Sequence, residues 1–67
     1  MSTYTDYHVC ARVTFNNAIN GTALISRYPL ANSSEMATHK CETEILNEYG
    51  ADYINDIEIV HCLRLDN

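Results

Sequence analysis

Side chains alternate strictly between Tyr4 and Phe15, and this alternation restricts the possible folds more than any other part of the sequence. A period of two is typical of a β-strand with one buried and one solvated face. The buried face would consist of Thr5, Tyr7, Val9, Ala11, Val13 and Phe15, and the open face of Tyr4, Asp6, His8, Cys10, Arg12 and Thr14. Such a strand needs hydrogen-bonding neighbours and a layer that covers its apolar side.

A second strand is predicted from Thr22 to Tyr28, and Pro29 is expected to end it. Asn20-Gly21 favours a two-residue hairpin turn before this strand because both residues tolerate positive φ, whereas Asn16-Asn17 offers an alternative start for a longer loop. The buried face of the strand stays open, since Leu24 and Tyr28 lie on one side and Ala23 and Ile25 on the other.

The segment between Asn32 and Gly50 predicts a helix. Asn32 can cap the free N–H groups of the first turn, Glu35 can reach back to it, and Gly50 suits the C-terminal cap. An apolar stripe recurs every four residues at Ala37, Cys41, Ile45 and Tyr49, as on a helix that covers a sheet with one face. Leu46 lies off this stripe.

The last strand is predicted from Tyr53 to Leu65 by the same alternation. Its inward face would hold Tyr53, Asn55, Ile57, Ile59, His61, Leu63 and Leu65, and its open face Ile54, Asp56, Glu58, Val60, Cys62 and Arg64. The order strand, strand, helix, strand predicts an α+β fold in one compact domain, residues 1–67. The three-stranded antiparallel sheet would have the order 2-1-3, with the helix packed on one face.

Length and charge narrow the possible functions. A chain of 67 residues buries only about 60% of its unfolded surface, which leaves little room for a deep pocket. No Gly-rich phosphate loop, GxSxG or HExxH motif occurs, so we expect a non-enzymatic protein without a cofactor. A net charge of -5 disfavours direct binding to nucleic acid or to an anionic membrane. The lack of an apolar run or a secretory signal predicts a cytoplasmic location without membrane contact.

Between Cys41 and Cys62 the chain carries six carboxylates and no Lys or Arg. Helical geometry places Glu44 and Glu48 on one flank of the apolar stripe, an arrangement of like charges that an isolated helix does not favour. This acidic run is either a solvated surface that keeps the protein soluble or a binding site for a basic partner. For the second interpretation the candidate residues are Glu42, Glu44 and Glu48 on the helix and Asp56 and Glu58 on the last strand.

The three cysteines have no CxxC spacing. On the open face His8, Cys10 and Cys62 would be neighbours, which leaves three alternatives: ordinary half-buried thiols, a disulfide, or the beginning of a metal site. Cys41 on the helix stripe is expected in the core. The open face would also carry apolar side chains such as Ile54 and Val60, a mixture that favours an interface.

In size, acidic charge and predicted topology the whole chain resembles the small inhibitor proteins that bacteriophages and mobile elements encode, of which anti-CRISPR proteins are an example. The resemblance implies a phage-encoded inhibitor in the host cytoplasm. It would occupy a basic nucleic-acid-binding surface of a host defence complex, for example a subunit of a CRISPR-Cas effector. Two alternatives remain: a small structural or regulatory homodimer that uses the open sheet face, and a metal-stabilised domain built on His8, Cys10 and Cys62.

Overall fold

A computed structural model describes residues 3–16 and 21–66. Its elements in chain order are β1 (Thr5–Phe15), β2 (Thr22–Arg27), β3 (Leu30–Ala31), α1 (Ser34–Tyr49), a 3₁₀ turn (Ala51–Tyr53) and β4 (Ile54–Arg64). The strands form one antiparallel sheet, and α1 covers one of its faces, so the predicted α+β fold is confirmed. The proposed turn at Asn20-Gly21 and its alternative at Asn16-Asn17 each include a residue of the range 17–20, which lies outside the described part.

β1 is the central strand, with β4 along one side and β2 and β3 along the other. β2 and β3 pair with β1 in one continuous register, in which Val9 faces Arg27 and Thr5 faces Ala31. Between them the carbonyl of Pro29 accepts a hydrogen bond of 2.9 Å from the backbone N–H of Tyr7. Proline has no N–H to donate, so it interrupts this edge strand without ending it. The predicted order 2-1-3 is confirmed, with β4 as the predicted third strand.

The predicted inward face of β1 is confirmed at its four central positions, Tyr7, Val9, Ala11 and Val13, which are buried. The open question about β2 is answered by its register. Ile25 lies opposite Ala11 and is buried, and Ala23 lies opposite Val13 and packs against the core. The small side chains of β1 leave room for inward residues on both neighbouring strands, while Leu24 and Tyr28 point to solvent.

The helix begins one residue later than predicted. Ser33, and not Asn32, is the N-cap, and its Oγ accepts a hydrogen bond of 3.1 Å from the backbone N–H of Met36. Ala31 is still paired with β1, so the chain leaves the sheet only at Asn32 and the helix starts after Ser33. Gly50 ends the helix as predicted, with a φ of 90° that disfavours side chains with a Cβ.

Two β-bulges change the faces of β4. Ile59 pairs with Ala11 and His61 with Cys10, so Val60 has no partner on β1. Asn55 is the extra residue of the second bulge, because Ile54 pairs with Phe15 and Asp56 with Thr14. Each extra residue reverses the alternation beyond it. The predicted faces are therefore correct only for Ile57, Ile59, Asp56 and Glu58 between the bulges.

Outside this central stretch the assignments for β4 were wrong. Cys62 and Ile54 face the helix and pack against the core instead of lying on the open face. His61 and Leu63 pair with Cys10 and His8 of β1 and lie on the open face instead of the inward face. Tyr53 precedes the first bulge and is exposed.

The core between sheet and helix is thin. Among the described residues it holds nine buried apolar side chains, which include three alanines and a cysteine, and α1 contributes Ala37, Cys41 and Ile45. Tyr49, predicted on the same stripe, is partly exposed and meets the ring of Phe15 edge-on, with 5.4 Å between the ring centroids. The described residues span 45 × 18 × 14 Å, the shape of a narrow plate. None of their helices is long and apolar enough to cross a membrane.

Candidate interaction surfaces

The five predicted partner-binding carboxylates lie on two sides of the plate. Glu42, Glu44 and Glu48 belong to α1, which covers the buried face of the sheet. Asp56 and Glu58 pair with Thr14 and Arg12 on the opposite, open face. One flat partner surface can contact only one of these two groups.

Glu44 and Glu48 hold Arg27, whose side chain reaches from β2 to the helix. Glu48 Oε1 accepts a hydrogen bond from Arg27 Nη2, and Glu44 Oε1 lies 4.0 Å from Arg27 Nε. Burial alone would lower the pKa of Arg27, but the hydrogen bond and negative charge of Glu48, with smaller effects of Tyr49, raise that pKa above its ordinary value. The fold itself therefore uses this like-charge pair to hold Arg27.

Two further ion pairs join neighbouring charges. On the open face Arg12 Nη1 donates to Glu58 Oε1 at 2.9 Å, and both side chains remain about half exposed. At the end of β4, Arg64 Nη2 lies 2.8 Å from Asp66 Oδ2. The single lysine, Lys40, donates to the carbonyl of Leu30 at 2.6 Å.

The carboxylates that have no ion-pair partner among residues 3–16 and 21–66 are Asp6, Glu35, Glu42, Asp52 and Asp56. Glu35 and Glu42 are two helical turns apart on the flank of α1 opposite to Glu44 and Glu48. The helix thus exposes carboxylates on both flanks, with Lys40 as its only cationic residue apart from the histidine. We call the surface formed by Glu35, Glu42, Glu44 and Glu48 the acidic helix surface.

The other side of the plate is the open sheet face, three strands wide. Its residues stand in rows across β2, β1 and β4. Each row has one residue from β2 or the residue that follows it, one from β1 and one from β4. The first row is Tyr28, His8 and Leu63, the second Ser26, Cys10 and His61, the third Leu24, Arg12 and Glu58, and the fourth Thr22, Thr14 and Asp56. Within the described part of the chain no element covers this face, and Leu24, Tyr28 and Leu63 are each at least half exposed.

His8 is the centre of an aromatic cluster on this face. Its ring stacks on Tyr28 with 5.0 Å between the centroids and lies 5.2 Å from the ring of His61. His8 Nε2 is also 3.3 Å from Ser26 Oγ. The sequence analysis missed this cluster because it placed His61 and Leu63 inward and left the orientation of Tyr28 open. No change in composition marks the bulge at Val60 that brings them outward.

Cys10 and Cys62 lie on opposite faces of the sheet, so they do not converge with His8 as a metal site or a cross-strand disulfide would require. Cys10 pairs with His61 on the open face, whereas Cys62 packs against the core. No group of three or more potential metal ligands occurs in the described residues. Cys41 is enclosed in the core as predicted, and burial, helped by the charge of Glu44, raises the pKa of its thiol to about 11.

Comparison with models of protein families, with characterised proteins and with solved structures gave no significant match for this chain. The two surfaces, acidic on the helix side and apolar and aromatic on the sheet side, are therefore interpreted from their own chemistry.

Proposed function

We propose that this protein is a non-enzymatic inhibitor that binds a basic surface of another protein and so prevents nucleic acid from binding there. Following the resemblance to phage inhibitors, the partner would be a nucleic-acid-binding host defence complex such as a CRISPR-Cas effector. The acidic helix surface would make the contact.

The distribution of charge supports this proposal. Each of the four Lys and Arg side chains already has an internal partner, so the net charge of -5 appears as exposed carboxylates. On the helix, Glu35 and Glu42 are free of ion pairs within the described residues, and Glu44 and Glu48 share one guanidinium. Lys and Arg side chains placed to bind phosphates would instead find carboxylate acceptors here.

Glu35 and Glu42 are the best positions at which to test this surface. Reversing Glu44 and Glu48 to Lys would place two cations beside Arg27 and weaken the fold, so a loss of binding would be ambiguous. Glu35 and Glu42 hold no cation among the described residues, and Lys has about the same intrinsic helix propensity as Glu. Lys at position 35 costs about 0.3–1 kcal/mol because it lies in the first turn, so the fold of the Glu35→Lys/Glu42→Lys variant is checked by circular dichroism before binding is compared. The matched control is Asp6→Lys/Asp56→Lys, which changes the net charge equally but on the open sheet face.

The experiment begins with capture of partners from a host lysate by the tagged protein at low and at high salt. The expected partner is basic, stoichiometric and released at high salt. Its affinity for the purified Glu35→Lys/Glu42→Lys variant should fall by about 100-fold, and that for the control variant by less than about 3-fold. Equal losses in both variants would reject the acidic helix surface as the binding site. Capture of no partner under either salt condition would reject the function.

A further inference from the structure

We infer that the open sheet face binds a second copy of this chain, giving a face-to-face dimer whose two helices lie on the outside. This inference does not depend on the proposed function, because it concerns the opposite side of the plate and the purified protein alone.

The composition of the face fits burial better than exposure to water. Leu24 is 66% exposed, Tyr28 65% and Leu63 50%. Tyr28 and Leu63 lie on either side of His8 in the first row and Leu24 lies in the third, with Cys10 and His61 in the row between. Aromatic and aliphatic side chains on a rigid sheet provide contact area at a small loss of conformational entropy. The remaining charged residues in these rows, Arg12 and Glu58, already form an ion pair with each other.

The size of the molecule allows a face as large as the interface of a stable dimer. Standard protein interfaces bury roughly 800 Å² on each partner. The described residues extend over 45 × 18 Å along their two longest axes, which sets an upper limit of the same order for the projected area of the open side. Two antiparallel sheets stacked face to face form a β-sandwich core about 10 Å thick, so the second copy would supply the layer that the first lacks.

The placement of charge favours a second copy over a basic partner on this face. Carboxylates without ion pairs lie only at the two ends of the central strand, at Asp6 beside Leu30 and at Asp56 beside Thr14. The four carboxylates of the acidic helix surface lie on the opposite, helix side of the molecule, where Glu44 and Glu48 contact Arg27. Two copies that meet through their sheet faces therefore keep their most acidic sides apart, which limits the repulsion between two chains of charge -5.

The test is sedimentation equilibrium of the full chain from micromolar to millimolar concentration, for the wild type and two matched variants. Leu63→Glu puts a charge on the open sheet face, and Leu46→Glu makes the same change at a partly exposed position on the helix. We expect the wild type and Leu46→Glu to approach twice the monomer mass. Leu63→Glu should weaken the dimer by about 30-fold or more, as for an interface hot spot.

A second measurement locates the interface. Brief labelling with a maleimide followed by peptide mapping should modify Cys10 more slowly as protein concentration rises, while the rate at Cys62 on the helix-facing side stays constant. A wild type that remains monomeric at millimolar concentration would overturn the inference. So would a Leu63→Glu variant that dimerises as tightly as the wild type.

Discussion

At position 41 a thiol is fully enclosed between helix and sheet. Its surroundings disfavour the thiolate, through burial first and through the charge of Glu44 second, and raise its pKa from 9.0 to about 11. A group whose pKa is higher in the folded state contributes stability that is present below the unfolded pKa and is lost as the pH rises through the folded one. The thiol is therefore neutral and poorly nucleophilic at neutral pH.

This residue predicts an alkaline loss of stability. Between pH 9 and pH 11 the contribution of Cys41 to the free energy of unfolding should fall by about 2 kcal/mol. Urea denaturation at pH 7 and pH 11 gives the free energy of unfolding of the wild type and of Cys41→Ala. The advantage of the wild type over the variant should shrink by that amount at the higher pH. At pH 7 the variant should be less stable because it leaves a small cavity. An equal alkaline loss in both proteins would show that other groups cause it.

At the scale of elements, the sheet and the helix were predictable, and the faces of β4 were not. Val9, Ala11 and Val13 on the central strand follow a period of two without interruption, and Gly50 marks the end of the helix with a backbone angle that suits glycine. The bulge at Val60 leaves no such signal, because Ile59 and Val60 are equally suited to a strand interior. One extra residue moved His61 and Leu63 to the open face and hid the aromatic cluster from sequence analysis.

The bulge itself can be tested by deletion. Removing Val60 restores a regular strand in which Ile59 and Cys62 still face the helix and His61 still faces outward, so we expect stability to change by less than about 1 kcal/mol. Removing Ile57 is the control, because it turns Glu58 towards the core and Ile59 towards solvent. That variant should lose more than about 3 kcal/mol or fail to fold. Thermal unfolding, monitored by circular dichroism, compares the stabilities of the two deletion variants. Comparable losses of stability in both would contradict the assigned register.

At the scale of the whole molecule, the net negative charge opposes association of two copies and favours association with a basic partner. Two copies of charge -5 repel each other at long range, whereas the same carboxylates attract a basic partner. The separation of an acidic helix side from an apolar sheet side allows one small chain to use both. A face-to-face dimer would carry two acidic helix surfaces on its outside and could bind two sites at once.

Salt should therefore strengthen the proposed dimer and weaken the complex with a basic partner. Raising the ionic strength from about 0.05 M to about 0.5 M screens surface charges over distances longer than a few ångströms. We expect the dissociation constant of the dimer to decrease severalfold and that of the complex with the basic partner to increase by at least about 10-fold. Sedimentation and titration calorimetry at matched salt concentrations measure both. A dimer that dissociates at high salt would place carboxylates, and not apolar side chains, in its interface.

The interruptions in the outer strands have a consequence for solubility. A sheet with two free edges can add further strands from other chains and grow into aggregates. Here Pro29 interrupts one outer strand between β2 and β3, and the bulges at Asn55 and Val60 distort the other. Growth by strand addition is thus hindered in both directions, and in the proposed dimer association through the open face would end once two copies have met.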